Sequence, residues 1–239
     1  MSLTRPLTHF QCVKEFNNQF GHACPDSIDT NVFESNPKLI KLRYDLIAEE
    51  IKELRVGFES SNMIEMADAL ADILYVVHGA GVALGIDLDQ YYTYNYIKPI
   101  KVNYDIFDSE KSFYVCCFAL IERGLELLNH AFKVKSIELV THALCNLLYA
   151  TYHTGTLLGL DLDALFRIVH DNNMSKLCAT DEIAKESVKH YATLPGFEKV
   201  KVSYRLSTDG KYYVVFNADT GKVLKSKLWV EPDFSSYFN

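Results

Sequence analysis

The sequence predicts a mainly α protein, a helical bundle formed by two fused pseudo-repeats, with a small β-hairpin at its C-terminal end. Three observations predict this fold class. Apolar residues recur at helical spacing through most of residues 8–192. Two long segments resemble one another at a constant offset. After Pro195 the helical spacing changes to an alternation of apolar and polar residues around Asp209-Gly210, which is typical of a β-hairpin.

The helices are predicted from apolar residues that recur every three or four positions. They cover residues 8–20, 37–56, 61–84, 110–132, 136–158, 162–177 and 181–192. Pro37 suits a first helical turn, Gly57 is expected to end that helix, and Ser61 is the expected N-cap of the next one. Residues 22–37 are predicted to form a loop because turn formers cluster there, whereas the Tyr-rich residues 90–108 give no clear pattern.

The C-terminal end is predicted to form a small β unit. Residues 199–206 and 211–217 alternate on either side of the Asp-Gly turn, and a third strand is expected over 223–230, after Thr220-Gly221. The predicted domains are therefore an all-α domain over residues 1–195 and a β-hairpin extension over residues 196–239.

Composition and charge restrict the function classes. The chain of 239 residues is 49% hydrophobic and has a net charge of −7, so no nucleic-acid partner is expected, since phosphate backbones attract Lys and Arg. None of the six cysteines forms a C-x-x-C pair, which argues against a zinc site. The first residues lack the pattern of a secretory signal, and no stretch of 18 apolar residues lacks a charge, so a cytoplasmic protein without a membrane span is expected.

Two segments of the chain repeat one another. Residues 46–89 align without gaps on residues 120–163, so each residue matches one 74 positions later. The clearest match pairs residues 84–89 (L-G-I-D-L-D) with residues 158–163 (L-G-L-D-L-D). This pattern favours a fused duplication with pseudo-repeats 38–105 and 112–178. The alternative is that two antiparallel helix pairs share core positions by chance.

Carboxylates cluster in the first repeat and are missing from the aligned positions of the second. The six acids are Glu49, Glu50, Glu53, Glu65, Asp68 and Asp72. The aligned residues are Arg123, Gly124, Leu127, Leu139, His142 and Asn146, with Glu138 in place of Leu139 if one residue is inserted. A shared core without shared acids indicates that the acids are functional rather than architectural.

The acids of the first repeat are expected to bind a divalent cation. The helix predicted over 61–84 is apolar almost all round and is therefore expected to be buried, and no Lys or Arg lies on residues 62–84. Buried carboxylates repel one another and lose solvation unless a cation neutralises them. Oxygen donors suit Mg²⁺, or alternatively Mn²⁺, rather than zinc. For the three acids before residue 54, a solvated helix face is the alternative.

Two other metal chemistries are disfavoured by residue spacing. Di-iron bundles combine Glu with Glu-x-x-His on facing helices, whereas the spacings here are Glu-x-x-Glu and Glu-x-x-Asp. His170-Asp171 is a pair found in some metal phosphohydrolases, but no further His residues accompany it at matching spacing. We therefore interpret this pair as a chance neighbourhood.

The acidic motif carries a family resemblance. Residues 49–68 read E-E-I-K-E, eleven residues, then E-M-A-D. This resembles the E-E-x-x-E…E-x-x-D signature of the all-α nucleoside triphosphate pyrophosphohydrolases, the superfamily of MazG, dimeric dUTPases and phosphoribosyl-ATP pyrophosphohydrolase. Residues 172–176 (N-N-M-S-K) resemble the family's Asn-x-x-Lys element, and residues 221–225 (G-K-V-L-K) resemble an extension of the phosphoribosyl-ATP-pyrophosphohydrolase-like branch. The resemblance covers nearly the whole chain, but only the acidic motif is specific.

The resemblance implies a MazG-like helical bundle that hydrolyses a nucleoside triphosphate to the monophosphate and pyrophosphate. Glu49 would orient or deprotonate the attacking water, Asp72 would support the metal ligands from behind, and the nucleotide would contact Asn173 and Lys176. The implied Mg²⁺ ligands are Glu50, Glu53, Glu65 and Asp68.

This chain departs from the family's usual pattern because it carries both halves. The family builds its bundle from two or more chains, so the resemblance implies a monomer that folds as a pseudo-dimer, or a homodimer, with one active site per chain. The competing hypothesis is a catalytically idle helical scaffold or nucleotide sensor that has kept the metal site. Retention of the signature acids argues against that hypothesis.

Overall fold

A computed structural model of the protein describes residues 7–95 and 110–238. In chain order its elements are α1 (His9–Gln19), α2 (Val32–Ser35), α3 (Pro37–Ser60), α4 (Met63–Leu84), α5 (Leu88–Asn95), α6 (Glu110–Lys133), α7 (Ile137–Leu157), α8 (Leu162–Met174), β1 (Leu177–Cys178), α9 (Asp181–Tyr191), β2 (Val202–Leu206), β3 (Tyr213–Asn217) and α10 (Ser235–Phe238). The mainly α prediction is confirmed. The predicted end of the first pseudo-repeat, up to residue 105, lies partly outside the described residues.

Helix α4 is the centre of the bundle. The side chain of Asn62 caps its start by accepting hydrogen bonds from the N–H groups of Ile64 and Glu65, and Gly85 ends it with a φ of 71°. The helix packs against α1, α3, α7 and α8, and it is buried along most of its surface, as its apolar sequence predicts. By length and composition α4 could cross a membrane, but 83% of its most apolar window is buried inside the structure.

The connection between α3 and α4 corrects two predicted boundaries. Gly57 does not end α3, which continues to Ser60, and the N-cap of α4 is Asn62 rather than Ser61. A Cβ at Gly57 would lie 3.1 Å from the backbone nitrogen of Met66, so this glycine permits the close approach of the two helices. Ser61 ends α3 instead, with a left-handed φ of 51°.

The loop predictions also need correction. The predicted loop over 22–37 contains the short helix α2, and helix α5 occupies the start of the Tyr-rich stretch. Helix α8 ends at Met174 rather than at residue 177, because the chain turns at Ser175 and enters β1.

The predicted hairpin is confirmed, and a third strand joins it. Strands β2 and β3 pair antiparallel, and β1 pairs antiparallel with the other edge of β3. The strand predicted over residues 223–230 is wrong. Val223 forms a single bridge to Phe216, and the backbone N–H of Lys227 donates to the Ser187 hydroxyl instead of to a strand. The segment therefore leaves the sheet and runs along the helices.

The helix pairs α3–α4 and α6–α7 have matching local geometry. Helix starts and left-handed residues recur 74 positions apart, the offset of the sequence alignment. The matched positions are Ser61 and Lys135, Met63 and Ile137, Gly85 and Gly159, and Leu88 and Leu162. The sequence offset therefore has a counterpart in the backbone conformation of the described residues.

Candidate active site

A cleft of about 1250 Å³ lies between the helical bundle and the C-terminal part of the chain. Helices α1, α3 and α4 line one side, and the end of α8 lines another. The side opposite comes from β3 and from residues 218–234, which we call the C-terminal strap. The charged residues of its lining are Arg43, Glu50, Glu65, Asp68, Asp72, Lys176, Lys222, Lys225, Glu231 and Asp233. Both signs of charge therefore face one space.

Four of the predicted acids form an acidic wall: Glu50 of α3 with Glu65, Asp68 and Asp72 of α4. The three acids of α4 are spaced i, i+3 and i+7, so they share a helix face. Glu65 is exposed, whereas the other three are half-buried. Because α3 packs against α4, Glu50 on α3 lies near enough to the acidic face of α4 for Asp68 and Asp72 to act on it.

Burial and mutual repulsion favour the protonated form of these carboxyl groups. Burial, followed by the charges of Asp72 and Glu53, raises the pKa of Glu50 to about 8. Burial, followed by the charge of Asp68, raises the pKa of Asp72 to about 7. Burial, followed by the charges of Glu65 and Glu53, raises the pKa of Asp68 to about 6. Such a cluster is stabilised by any cation that enters it.

Glu49 and Glu53 lie beside the acidic wall rather than in it. Both side chains are exposed, and neither belongs to the lining of the cleft. The charge of Glu53 nevertheless acts on Glu50, Asp68 and Asp72, and the charge of Glu49 acts on Glu50. Glu49, the predicted catalytic residue, therefore lies next to the acidic wall, one position before Glu50 in the chain.

The chemistry of these donors fits a hard divalent cation. All the ligating atoms are carboxylate oxygens, which Mg²⁺ prefers, and a bound cation would relieve the repulsion that raises the three pKa values. Among the residues that the structure describes, no three His, Cys, Asp or Glu side chains already stand in the arrangement of a metal site. The fit therefore rests on donor type and electrostatics.

The Asn-Lys element lies in the same cleft as the acids. The ammonium Nζ of Lys176 donates to Oδ1 of Asn173 at 2.5 Å, and the side chain of Asn173 acts on the hydroxyl of Tyr75 on α4. Burial lowers the pKa of Lys176, and the charge of Asp72 opposes this shift. The structure thus brings acids from the first helix pair and a lysine that follows the second pair to one site.

Arg43 of α3 is a residue that the sequence reasoning missed. Its side chain is only 8% exposed but lines the cleft, and its Nε has no hydrogen-bond partner among the described residues. Burial lowers its pKa to about 10, with no carboxylate to oppose the shift. A Cβ at Gly79 would lie 3.3 Å from Nη1 of Arg43, so this glycine leaves room for the guanidinium. The position of Arg43 one turn before the buried Ile47 could have revealed it.

The strap residues Lys222, Lys225 and Trp229 were also missed as site residues. The family resemblance pointed to residues 221–225 only as an extension, and a strand was predicted there. A signal in the sequence was the pair of lysines spaced i, i+3 immediately after Gly221. Their place in the cleft depends on the course of the strap, which local sequence does not specify.

Comparison with known proteins identifies the family. The sequence model of the phosphoribosyl-ATP pyrophosphohydrolase family matches residues 13–93. A protein of Acanthamoeba polyphaga mimivirus, described as "Uncharacterized protein L479", is 40% identical over 237 residues, which are 95% of this chain and 94% of the relative. Residues 13–93 belong to the MazG-like, all-α pyrophosphohydrolase family. No solved structure matches it.

The family assignment gives the site its general chemistry. MazG-like pyrophosphohydrolases act on nucleotides by hydrolysing phosphoric anhydride bonds. The matched segment contains the whole acidic wall together with Arg43. Lys176 and the strap lie outside that segment, and only the tertiary structure joins them to it.

Proposed function

We propose that this protein is a Mg²⁺-dependent nucleotide pyrophosphohydrolase that cleaves a nucleoside triphosphate to the monophosphate and pyrophosphate. The observation that carries the proposal is the cleft in which an acidic wall and unpaired cations face one another. A triphosphate has several negative charges, so it requires cationic side chains to bind and a metal to hold it against carboxylates. Membership of a pyrophosphohydrolase family supports the same reaction.

In this proposal Mg²⁺, or alternatively Mn²⁺, is held by carboxylates of α3 and α4, and Asp72 orients them from one turn further along α4. When bound, the metal masks phosphate charge and lowers the pKa of the attacking water. The proposed metal ligands are Glu50, Glu53, Glu65 and Asp68.

Other groups of the chain bind the substrate and move the proton. Lys176 neutralises phosphate oxygens as a compact positive charge, and Asn173, which contacts both Lys176 and Tyr75, holds that ammonium in the cleft. Glu49 is the proposed acceptor of the proton from water. Its exposed carboxylate beside Glu50 is open to solvent at the edge of the site.

We also propose that the two helix pairs are fused copies and that one chain carries one active site, as a monomeric pseudo-dimer or in a homodimer. The matching helix boundaries support the duplication. The expected geometry is an approximate two-fold rotation that relates residues 46–89 to residues 120–163. A cytoplasmic location is part of the proposal, supported by the five described cysteines, which are all free.

The experiment that tests the function is a nucleotide panel. Pyrophosphate release is measured from the common ribo- and deoxyribonucleoside triphosphates with Mg²⁺, with Mn²⁺ or with EDTA. We expect release from at least one nucleotide, its loss in EDTA, and one bound non-hydrolysable analogue per chain by calorimetry. Binding without release would favour the nucleotide sensor, and two analogues per chain would contradict the single site.

Thermal unfolding tests the metal separately. A ligand that binds only the folded state stabilises it by about 2.7 kcal/mol at a hundredfold excess over its Kd. We therefore expect Mg²⁺ to raise the Tm of the wild-type protein. An unchanged Tm at millimolar Mg²⁺, with and without nucleotide, would contradict the metal site.

A further inference from the structure

The C-terminal strap is attached firmly to the end of α8, beside Lys176. The Asn172 side chain donates through Nδ2 to the carbonyl of Val230 at 2.6 Å and accepts from Nε1 of Trp229 at 3.2 Å. The hydroxyl of Ser226 donates to the carbonyl of Ser175 at 3.2 Å. Further along, Phe234 is buried in the main hydrophobic core. The strap is therefore a fixed side of the cleft rather than a loose tail.

Two lysines of the strap line this cleft. Lys222 and Lys225 line it together with Lys176, and the positive charges of both lysines reinforce the lowering of the Lys176 pKa that burial begins. Nζ of Lys225 lies 3.3 Å from the centre of the Trp229 ring, a cation–π contact that holds the ammonium in place. The charges of Lys222 and Lys225 therefore both reach the ammonium group of Lys176.

Among the described residues, these lysines have no carboxylate partner, in contrast to three other lysines of the C-terminal region. Lys201, Lys211 and Lys227 each pair with an acid within 4.0 Å. In the part of the chain that the structure describes, Lys176, Lys222 and Lys225 form no such pair, although the chain as a whole has a net charge of −7. Like charges that gather without counterions raise the energy of the folded state unless an anion joins them.

The strap also reaches the acidic wall. Glu231 lines the cleft, and its charge is among those that act on Asp68. The lysines and Glu231 lie on one continuous segment, so the strap extends from the cationic side of the cleft to the carboxylates opposite. A triphosphate chain with a metal ion at one end could lie along the strap, with its metal at the carboxylates and its other end at the lysines.

We propose that Lys222 and Lys225, together with Lys176, form the binding site for the phosphate chain of the substrate, so that the C-terminal strap is part of the active site. This inference rests on the proposed nucleotide pyrophosphohydrolase function. It assigns to the strap the recognition of the anion that leaves as pyrophosphate. The β unit and strap then serve to position two ammonium groups that the helical bundle itself does not supply.

The test compares matched lysine variants within the strap. Lys222→Gln and Lys225→Gln each remove one charge from the cleft. Lys227→Gln removes the same charge from the same segment, but Lys227 is exposed and pairs with Glu186 outside the cleft. Binding of inorganic pyrophosphate and of a non-hydrolysable nucleoside triphosphate analogue is measured by calorimetry at low and high salt.

We expect each cleft variant to weaken pyrophosphate binding about tenfold, the size of one lost charge-assisted hydrogen bond, and Lys227→Gln to bind as the wild type does. Added salt should weaken pyrophosphate binding by the wild type more than binding by a variant that carries both Lys222→Gln and Lys225→Gln. Lys225→Arg should keep the affinity, because it keeps the charge. Equal affinity in all variants, or an equal loss in all three Gln variants, would overturn the proposal.

Trp229 supplies a second readout. It is the single Trp of the chain, so its fluorescence reports on the strap alone. Pyrophosphate that draws the ammonium of Lys225 from the ring should change the emission of the wild type, and emission that stays constant through saturation would contradict the proposed contact. Because these measurements need no turnover, phosphate binding by an inactive protein would contradict only the hydrolase function. Turnover with an unchanged KM in Lys222→Gln and Lys225→Gln would contradict only the strap.

Discussion

The helix pairs α3–α4 and α6–α7 share a backbone plan but not a chemistry. A Cβ at Gly81 would lie 2.7 Å from Cδ1 of Leu88, and a Cβ at Gly155, 74 residues later, would lie 2.5 Å from Cδ1 of Leu162. Both pairs therefore use a glycine to admit the leucine of the following helix. The shared residues are those that determine packing.

The difference between the pairs lies where side chains face the cleft. Glu50 aligns with Gly124, where a Cβ would lie 2.7 Å from Cδ2 of Leu147, so the second pair is closely packed at the position where the first presents a carboxylate. Arg43 aligns with the buried Cys117. One pair keeps buried charges that cost stability, and the other has an apolar interface. Charges that oppose folding yet are present in one pair indicate a function there.

The largest expected effect is on catalysis by the first pair. Glu50→Gln and Asp68→Asn keep side-chain shape but remove a charge that the proposed metal requires. Pyrophosphate release should fall by a factor of about 10³ or more, with metal-free stability unchanged or higher because a repulsion is removed. Glu126→Gln on α6 is the matched control, since it disturbs only an exposed pair with Arg123.

An active Asp68→Asn enzyme would contradict the metal assignment. A large loss of metal-free stability in either variant would instead make the acid structural. If Glu126→Gln lost as much activity as Glu50→Gln and Asp68→Asn, the proposal that only the first helix pair carries catalytic acids would be contradicted.

The next largest effect concerns two glycines, Gly85 and Gly159, that have the same backbone conformation but different neighbours. Gly85 and Gly159 have φ values of 71° and 72°, so an alanine at either costs about 1–2 kcal/mol. A Cβ at Gly85 would also lie 2.2 Å from the carbonyl oxygen of Ser27, whereas nothing lies within 4 Å at Gly159. We expect Gly85→Ala to cost at least about 3 kcal/mol in urea unfolding and Gly159→Ala about 1 kcal/mol. Equal costs would mean that the contact with Ser27 contributes nothing.

Arg43 should show opposite effects on stability and on binding. Arg43→Met removes a buried, unpaired charge and keeps most of the apolar stem, so metal-free stability should stay equal or rise. Affinity for a non-hydrolysable nucleotide analogue should fall about tenfold, because a guanidinium in the cleft binds phosphate oxygens. Calorimetry and thermal unfolding measure both quantities. Reduced stability with unchanged affinity would show that Arg43 is a packing residue only.

The smallest expected effect is on the pH dependence of stability. Glu50 has a pKa of about 8 in the folded protein, above its ordinary value of about 4. The folded state therefore holds a proton that the unfolded state has lost, and stability due to this group falls as pH rises toward 8. Histidines with lowered pKa values, such as His22, oppose this trend below about pH 6.5, where the unfolded state protonates them.

To isolate the contribution of Glu50, the Tm of the wild type is compared with the Tm of Glu50→Gln. The Tm of the metal-free wild type minus that of Glu50→Gln should decrease from pH 7 to pH 8.5, whereas the same difference taken with Glu126→Gln should stay flat. A difference that rises with pH would contradict the raised pKa of Glu50.

The sequence by itself determined the helices, the hairpin and the acids. Periodic apolar residues predicted the main helices, and Asp209-Gly210 predicted the turn between β2 and β3. Helix period alone put Glu65, Asp68 and Asp72 on one face. These features depend on neighbours within a few residues, where backbone dihedrals and side-chain period leave few alternatives.

Only the tertiary structure decided which distant residues meet. Gly57 looked like a helix end, but it is an interior glycine because Met66 packs against it. Residues 223–230 are predicted to form a strand, but the N–H of Lys227 donates to the Ser187 hydroxyl and the Asn172 side chain donates to the carbonyl of Val230, which fixes the segment along the helices. The joining of Lys176 and the strap lysines to the acidic wall has the same origin. Contacts between residues far apart in the chain depend on how whole faces pack, and local sequence carries no record of the partner face.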